Sequence, residues 1–163
     1  MFELMNPTPK DLDALCEMER LCFPPDEVLT REQLAPKLDR ATGLWLVARD
    51  LVTGQLAGFL DGVASDAGRF DDLFFDGVAG HDPLGQNIML TGLEVLPAYR
   101  GRGLAHRLMA AYQALRRAEG RRALFLTCHA EKLAFYRGMG FESLGSSASA
   151  LGSGGWLDCV CRL

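Results

Sequence analysis

The hydrophobic positions of this chain switch between helical and strand periods, and the switches mark its elements. Residues 2–5 form a short run that predicts an opening strand. Leu12, Leu15, Met18 and Leu21 recur at helical spacing, which predicts a helix over residues 9–21. Thr8 caps that helix, and Pro9 occupies its first position, where a missing N–H costs nothing. Phe23, Pro24 and Pro25 stop it, and Thr30 opens a second helix reaching about residue 39. Residues 44–49 and 56–63 are strands joined through Thr53 and Gly54, which predicts a hairpin.

Residues 64–86 have no clean period and carry Gly68, Gly77, Gly80, Pro83 and Gly85. They predict a long connection with one helical turn over residues 70–75, and connections of that length are often functional. A strand over residues 87–96 then leads into a helix over residues 103–119. The apolar face of that helix is Leu104, Leu108, Ala111 and Leu115, and its other face carries Arg107, Arg116 and Arg117. The nearly continuous apolar run at residues 123–128 reads as a central strand. A short helix at 130–138 and strands at 141–147 and 156–163 complete the order β-α-α-β-β-β-α-β-α-β-β, with a Gly/Ser-rich loop between the last two strands. That order predicts a mixed α/β fold around one twisted sheet.

Composition narrows the function only slightly. A chain of 163 residues with 48% hydrophobic and 23% charged residues fits one globular domain. The net charge of -4 argues against nucleic-acid binding, which needs a basic face. Five cysteines, Cys16, Cys22, Cys128, Cys159 and Cys161, follow no zinc-ligand spacing and read as reduced thiols. Cys159 and Cys161 fall on one face of their strand. No metal site is expected. With no leader-like N-terminus and no apolar run near the ~18 residues of a membrane span, a cytoplasmic protein is expected.

The strongest chemical signal is R-G-R-G-L-A at residues 100–105, lying between a strand and an amphipathic helix. Gly101 and Gly103 let the backbone approach a ligand closely. The first N–H groups of the helix lack partners and carry the positive end of its dipole, which makes an anion site suited to a pyrophosphate. Arg100 and Arg102 add charge. A Walker loop is excluded because no Lys-Ser/Thr pair starts the helix. A dinucleotide fingerprint is excluded because His106 stands where its third glycine belongs. A strand-turn-helix whose glycines serve only the turn remains the plain alternative.

These residues resemble the GNAT superfamily of N-acetyltransferases. R-G-R-G-L-A fits the family's R/Q-x-x-G-x-G/A motif, and the preceding L-E-V-L-P-A-Y-R fits its L-x-V-x-P-x-Y-R. L-A-F-Y-R-G-M-G-F at 133–141 resembles its L-Y-x-K-x-G-F segment. Within the superfamily the chain is similar to the arylalkylamine (serotonin) N-acetyltransferase branch. E-R-L-C-F-P-P-D-E looks like that branch's substrate loop, H-D-P-L-G like its H-x-P-x-G, and T-C-H-A-E-K-L-A-F-Y with G-S-S-A-S-A-L like its closing segment.

The resemblance implies a GNAT fold and acetyl-CoA as cofactor. It also implies transfer of an acetyl group to a primary amine of a small molecule, arylalkylamine or polyamine-like, by direct attack in a ternary complex. An amine with a lysine-like pKa is neutral in roughly one molecule per thousand at pH 7, so a proton must be removed. By resemblance the backbone N–H of Val95, beside Leu93, binds the acetyl carbonyl. Arg100, Gly101, Arg102, Gly103, Leu104 and Ala105 hold the pyrophosphate, and Tyr136 protonates the departing thiolate. His129 stands where the family often has a cofactor-contacting Asn. Met89 and Thr91 occupy the positions of the branch's strand histidines, so Glu94 becomes the candidate base. Glu19 is the candidate ammonium ligand, and Phe23, Pro24 and Pro25 are candidate pocket walls. The alternatives are a protein N-terminal or lysine acetyltransferase, or a non-catalytic acyl-CoA sensor. The expected assembly is a monomer or homodimer.

Overall fold

A computed structural model describes residues 1–163. Seven strands form one sheet: β1 (Phe2–Met5), β2 (Leu46–Asp50), β3 (Leu56–Ser65), β4 (Asn87–Val95), β5 (Ala123–His129), β6 (Glu142–Ser146) and β7 (Trp156–Arg162). Their spatial order is β1-β2-β3-β4-β5-β7-β6. The helices are α1 (Leu12–Cys22), α2 (Arg31–Arg40), α3 (Leu104–Ala118) and α4 (Leu133–Arg137). The element order is the one the hydrophobic pattern predicts, with 3-10 turns at Pro9–Asp11, Thr42–Leu44 and Ala130–Lys132 trimming the expected ends.

Local chemistry accounts for the boundaries. Thr8 and Asp11 close a capping box before α1, and Thr30 and Gln33 close another at α2. The predicted turn in the long connection is a 3-10 turn at Asp72–Phe75, where the Asp71 side chain accepts from Leu73 N–H. All five cysteines are free, and Cys159 and Cys161 share a face of β7 in the core.

Two apolar layers sandwich the sheet. One gathers Leu60, Ile88, Leu90, Leu108, Tyr112 and Leu124 beneath α3. The other gathers Leu15, Leu34, Trp45, Phe59, Phe74 and Met89 beneath α1, α2 and the long connection. Two predicted helix faces are rotated. Leu21 is 49% exposed and Leu115 is 45% exposed, while Glu19 of α1 and Met109, Tyr112 and Arg116 of α3 are buried. Arg116 is tolerated inside because its guanidinium lies over the Tyr112 ring, donates to Gly43 O at 2.9 Å and pairs with Glu119 at 3.0 Å. Helical spacing marks a stripe but cannot tell which polar residues at its edge will find partners.

Two irregularities in β4 shape the site. Its parallel pairing with β5 covers only Asn87–Met89 against Ala123–Phe125, so the strands part beyond that point. Its antiparallel pairing with β3 slips by one residue, Asp61 facing Gly92 and Gly62 facing Leu90, which leaves Thr91 as a bulge.

Candidate active site

The gap between β4 and β5 opens into a cleft of about 1060 Å³. Its walls come from the end of α1, the loop after it, β4, the start of α3, β5, α4 and the loop before β7.

At one end lies the glycine loop. Gly101 and Gly103 have φ of +77° and +72°, and an added Cβ at either would meet nothing within 4 Å. The glycines are therefore needed for a left-handed backbone rather than for space. Gly103 caps α3 without a side-chain hydrogen bond. The first N–H groups of the helix thus stay available at Leu104, Ala105 and His106, all of which line the cleft. This donor set fits a pyrophosphate. Arg100 lines the cleft while its Nε donates to Val95 O at 2.9 Å. Arg102 corrects the expectation for its side chain: it stays off the cleft, its guanidinium lying over the Tyr99 ring and reaching Ala98 O. Its contribution to the loop is its backbone.

The middle of the cleft is strand edge. Leu96 N–H bonds to Ala57 O toward β3, so alternation turns the N–H and C=O of Val95 away from β3. Val95 O accordingly meets Arg100 and the Cys22 thiol rather than a strand partner. Leu93, Val95 and Thr127 line this stretch, and Thr127 Oγ1 is buried without a partner. Tyr136 of α4 faces it, its ring packed edge-on against Phe135 and Phe141. Burial, with Cys128 and Cys159 beside it, pushes the phenol above its ordinary range, so it stays protonated at every working pH.

The far end is acidic. Glu19 on α1 and Glu94 on β4 are both buried, and their carboxyls interact. Glu19 Oε2 accepts from Leu29 N–H at 3.1 Å. Glu19 Oε1, both oxygens of Glu94 and Asp61 Oδ1 are buried with no N–H or hydroxyl donating to them. Burial pushes Glu19 up to about 7, against the pull of its contacts with Glu94 and Leu29. Burial first, and the Glu19 charge second, drive Glu94 well above the usual carboxylate value. Both carboxyls therefore hold their protons to higher pH than an exposed glutamate does. The bulge makes this contact possible. Strict alternation from Met89 sends residue 91 to the α1/α2 side and residue 94 to the opposite one. The extra residue resets the phase, so Thr91 and Glu94 both reach that side.

Phe23, Pro24, Phe75, Leu151 and Trp156 also line the cleft, whereas Pro25 does not reach it, correcting its assignment as a wall. His129 does reach it, but its Nε2 lies 2.9 Å from Glu27 Oε1 and its ring stacks on Trp156 at 3.8 Å. It therefore fastens the loop after α1 to the end of β5. Met89, at a position where the resembled branch has a histidine, is wholly buried core, and Thr91 is hydrogen-bonded to Lys37 and Asp61. Sequence reasoning missed Lys37, Asp61, Glu27 and Cys22, because nothing in their spacing sets them apart from surface charges or a core thiol.

The model of the acetyltransferase (GNAT) family matches residues 12–141. No curated protein matches the sequence. Among solved structures, the GphF GNAT-like decarboxylase in complex with isobutyryl-CoA is 21% identical, with a TM-score of 0.81 and 98% of each chain covered. The loading GNATL domain of CurA from Lyngbya majuscula is 13% identical with a TM-score of 0.81, covering 99% of this chain and 98% of that one. The PaiA N-acetyltransferase from Thermoplasma acidophilum, in complex with coenzyme A, is 14% identical with a TM-score of 0.74, covering 100% and 99%. At these identities the likeness is one of fold.

Proposed function

The chain belongs to the acetyltransferase (GNAT) family, whose cofactor is acetyl-CoA, and from that premise we propose that it transfers an acetyl group to a primary amine of a small molecule. The observation that carries this reading is the buried carboxyl pair with its unpartnered oxygens at the acceptor end of the cleft. Unpaired carboxyl oxygens in a dry site are costly. An ammonium head group supplies both the missing donors and the missing positive charge. Phe23, Phe75, Leu151 and Trp156 offer an apolar seat for the rest of such a molecule, as an arylalkylamine or a polyamine-like chain requires.

When bound, acetyl-CoA supplies the activated thioester. The glycine loop and the N-terminus of α3 hold its pyrophosphate, with Arg100 beside them. The N–H of Val95 orients and polarises the acetyl carbonyl. Glu19 and Glu94 together receive the proton of the ammonium, which frees the lone pair for direct attack. Tyr136 gives its proton to the leaving sulfur as the C–S bond breaks, and the second proton shed by the new amide nitrogen restores the phenol.

Two neighbours of this site favour a small acceptor over a protein chain. The Asp72 carboxylate accepts from Ser149 Oγ and Ala150 N–H, and Glu27 pairs with His129, so the loops that supply Phe75, Leu151 and Phe23 to the cleft wall are tied to other parts of the chain. The acidic lining also disfavours an acyl group that itself bears a carboxylate, as a decarboxylase substrate does. The buried cation Lys37 is committed to Asp61 and does not line the cleft.

The test is thiol release from acetyl-CoA across a panel of small amines and peptides, with acetyl-CoA binding measured in parallel. Release with arylalkylamines or polyamines is the expected result. Release only with peptides would replace the small acceptor by a protein one, and binding without release on any acceptor would make the protein a sensor.

A further inference from the structure

Glu94 reaches the acceptor end only because β4 carries its bulge at Thr91, and a buried ion pair meets the strand at that bulge. Lys37 of α2 is wholly buried. Its Nζ lies 2.7 Å from Asp61 Oδ2 and 2.9 Å from Thr91 Oγ1, and 5.7 Å from the centre of the Trp45 ring. The Thr91 hydroxyl in turn donates to Asp61 Oδ2 at 2.9 Å. Three elements, α2, β3 and β4, therefore meet in a closed triangle at the extra residue. Gly92 completes it, since a Cβ there would fall 2.9 Å from Asp61 Oδ1 and 3.4 Å from Glu94 Oε1. An ion pair this deep is a weak source of stability compared with apolar residues of the same volume. The chemistry described above gives it no role, and neither Lys37 nor Asp61 lines the cleft.

We propose that Lys37, acting through Thr91 and Asp61, is a positioning residue for the Glu19–Glu94 pair, pinning the bulge that turns Glu94 toward Glu19. The proposal rests on the reading of that pair as the amine's proton acceptor. Charge works alongside geometry. The titratable groups around the pair are Cys22 from α1, Lys37 from α2 and Asp61 from β3, with Arg100 acting on Cys22 from the glycine loop. Lys37 draws Glu19 down, while Asp61 pushes both glutamates up. Without the triangle, Glu94 loses its fixed approach to Glu19, and their mutual influence weakens.

Thr91→Val keeps the shape of the bulge residue and removes both hydroxyl bonds, whereas Thr91→Ser restores them. Two measurements on the whole protein test the idea. The first is kcat and KM for the best amine, beside the Kd of acetyl-CoA. The second is the titration of the Glu19 and Glu94 side-chain carboxyls by carbon-13 NMR, which needs no turnover. In Thr91→Val, kcat is expected to fall about tenfold or more with acetyl-CoA binding kept, because displacing a reacting group by a fraction of an ångström is costly. The two carboxyl midpoints should draw together by about one pH unit, and Thr91→Ser should recover both values. Lys37→Met should move the pair upward in pH; if it fails to fold, with Asp61 left unpaired, the Thr91 variants carry the test. Unchanged midpoints and unchanged kcat in Thr91→Val would overturn the proposal. If the wild-type protein acetylates no amine, the proton-acceptor reading fails, while the midpoints still decide whether the triangle positions the pair.

Discussion

At the scale of single residues, environment assigns the chemical roles. Burial, with the Cys128 and Cys159 thiols beside it, keeps the Tyr136 phenol protonated, the state an acid requires. In Tyr136→Phe, kcat should fall by about 100-fold, the usual worth of a positioned acid, with acetyl-CoA affinity kept. Turnover close to wild type across the pH range would remove it from the mechanism. Glu19 differs from Tyr136 in holding a proton that leaves near neutrality, since burial raises it to about 7. Activity should therefore rise as pH passes through about 7, and Glu94→Gln should lower kcat/KM and displace that limb. A pH–rate profile that Glu94→Gln leaves untouched would dismiss Glu94 as a base. Glu94 was legible in the sequence as a candidate, but its direction was not, because alternation alone aims it away from Glu19.

At the scale of elements, the glycine loop and β4 do different work. The loop is a backbone device, and the space around Gly103 is open. Gly103→Ala should then destabilise by about 1–2 kcal/mol through its left-handed backbone alone. It should also weaken acetyl-CoA binding, since relief of that strain moves the first N–H groups of α3. Calorimetric binding beside thermal melting checks this, and a variant with wild-type values in both would show that the loop's shape does not matter. The loop's shape was legible because its determinants are local: two glycines, a strand before and a helix after. The rotated faces of α1 and α3 were not, because Glu19 and Arg116 are buried by partners distant in sequence, Leu29 N–H and Glu94 for one and Gly43 O for the other.

At the scale of the whole molecule, the acidic site has a cost in stability that follows from its proton. Burial raises Glu19 from an ordinary value of 4.5 to about 7, so the folded protein binds a proton more tightly than the unfolded chain. That contribution is complete below about 4.5 and is lost as pH rises through about 7. The difference in Tm between wild type and Glu19→Gln should therefore change in favour of the variant over that window. A difference that is flat with pH would mean that Glu19 titrates normally. No helix is long and apolar enough to cross a membrane.

The sequence by itself determined the order of elements, the glycine turn ahead of α3 and the family, because each is written in neighbouring residues: hydrophobic period, capping residues and a contiguous motif. Only the tertiary structure decided that β4 bulges at Thr91 and that Lys37 and Asp61 lie beneath it. It also brought Glu19, 75 positions before Glu94, against it at the cleft wall, and left the Arg102 side chain and Pro25 off the cleft lining. Those outcomes depend on which distant charges can satisfy one another once water is gone, and no local pattern records that.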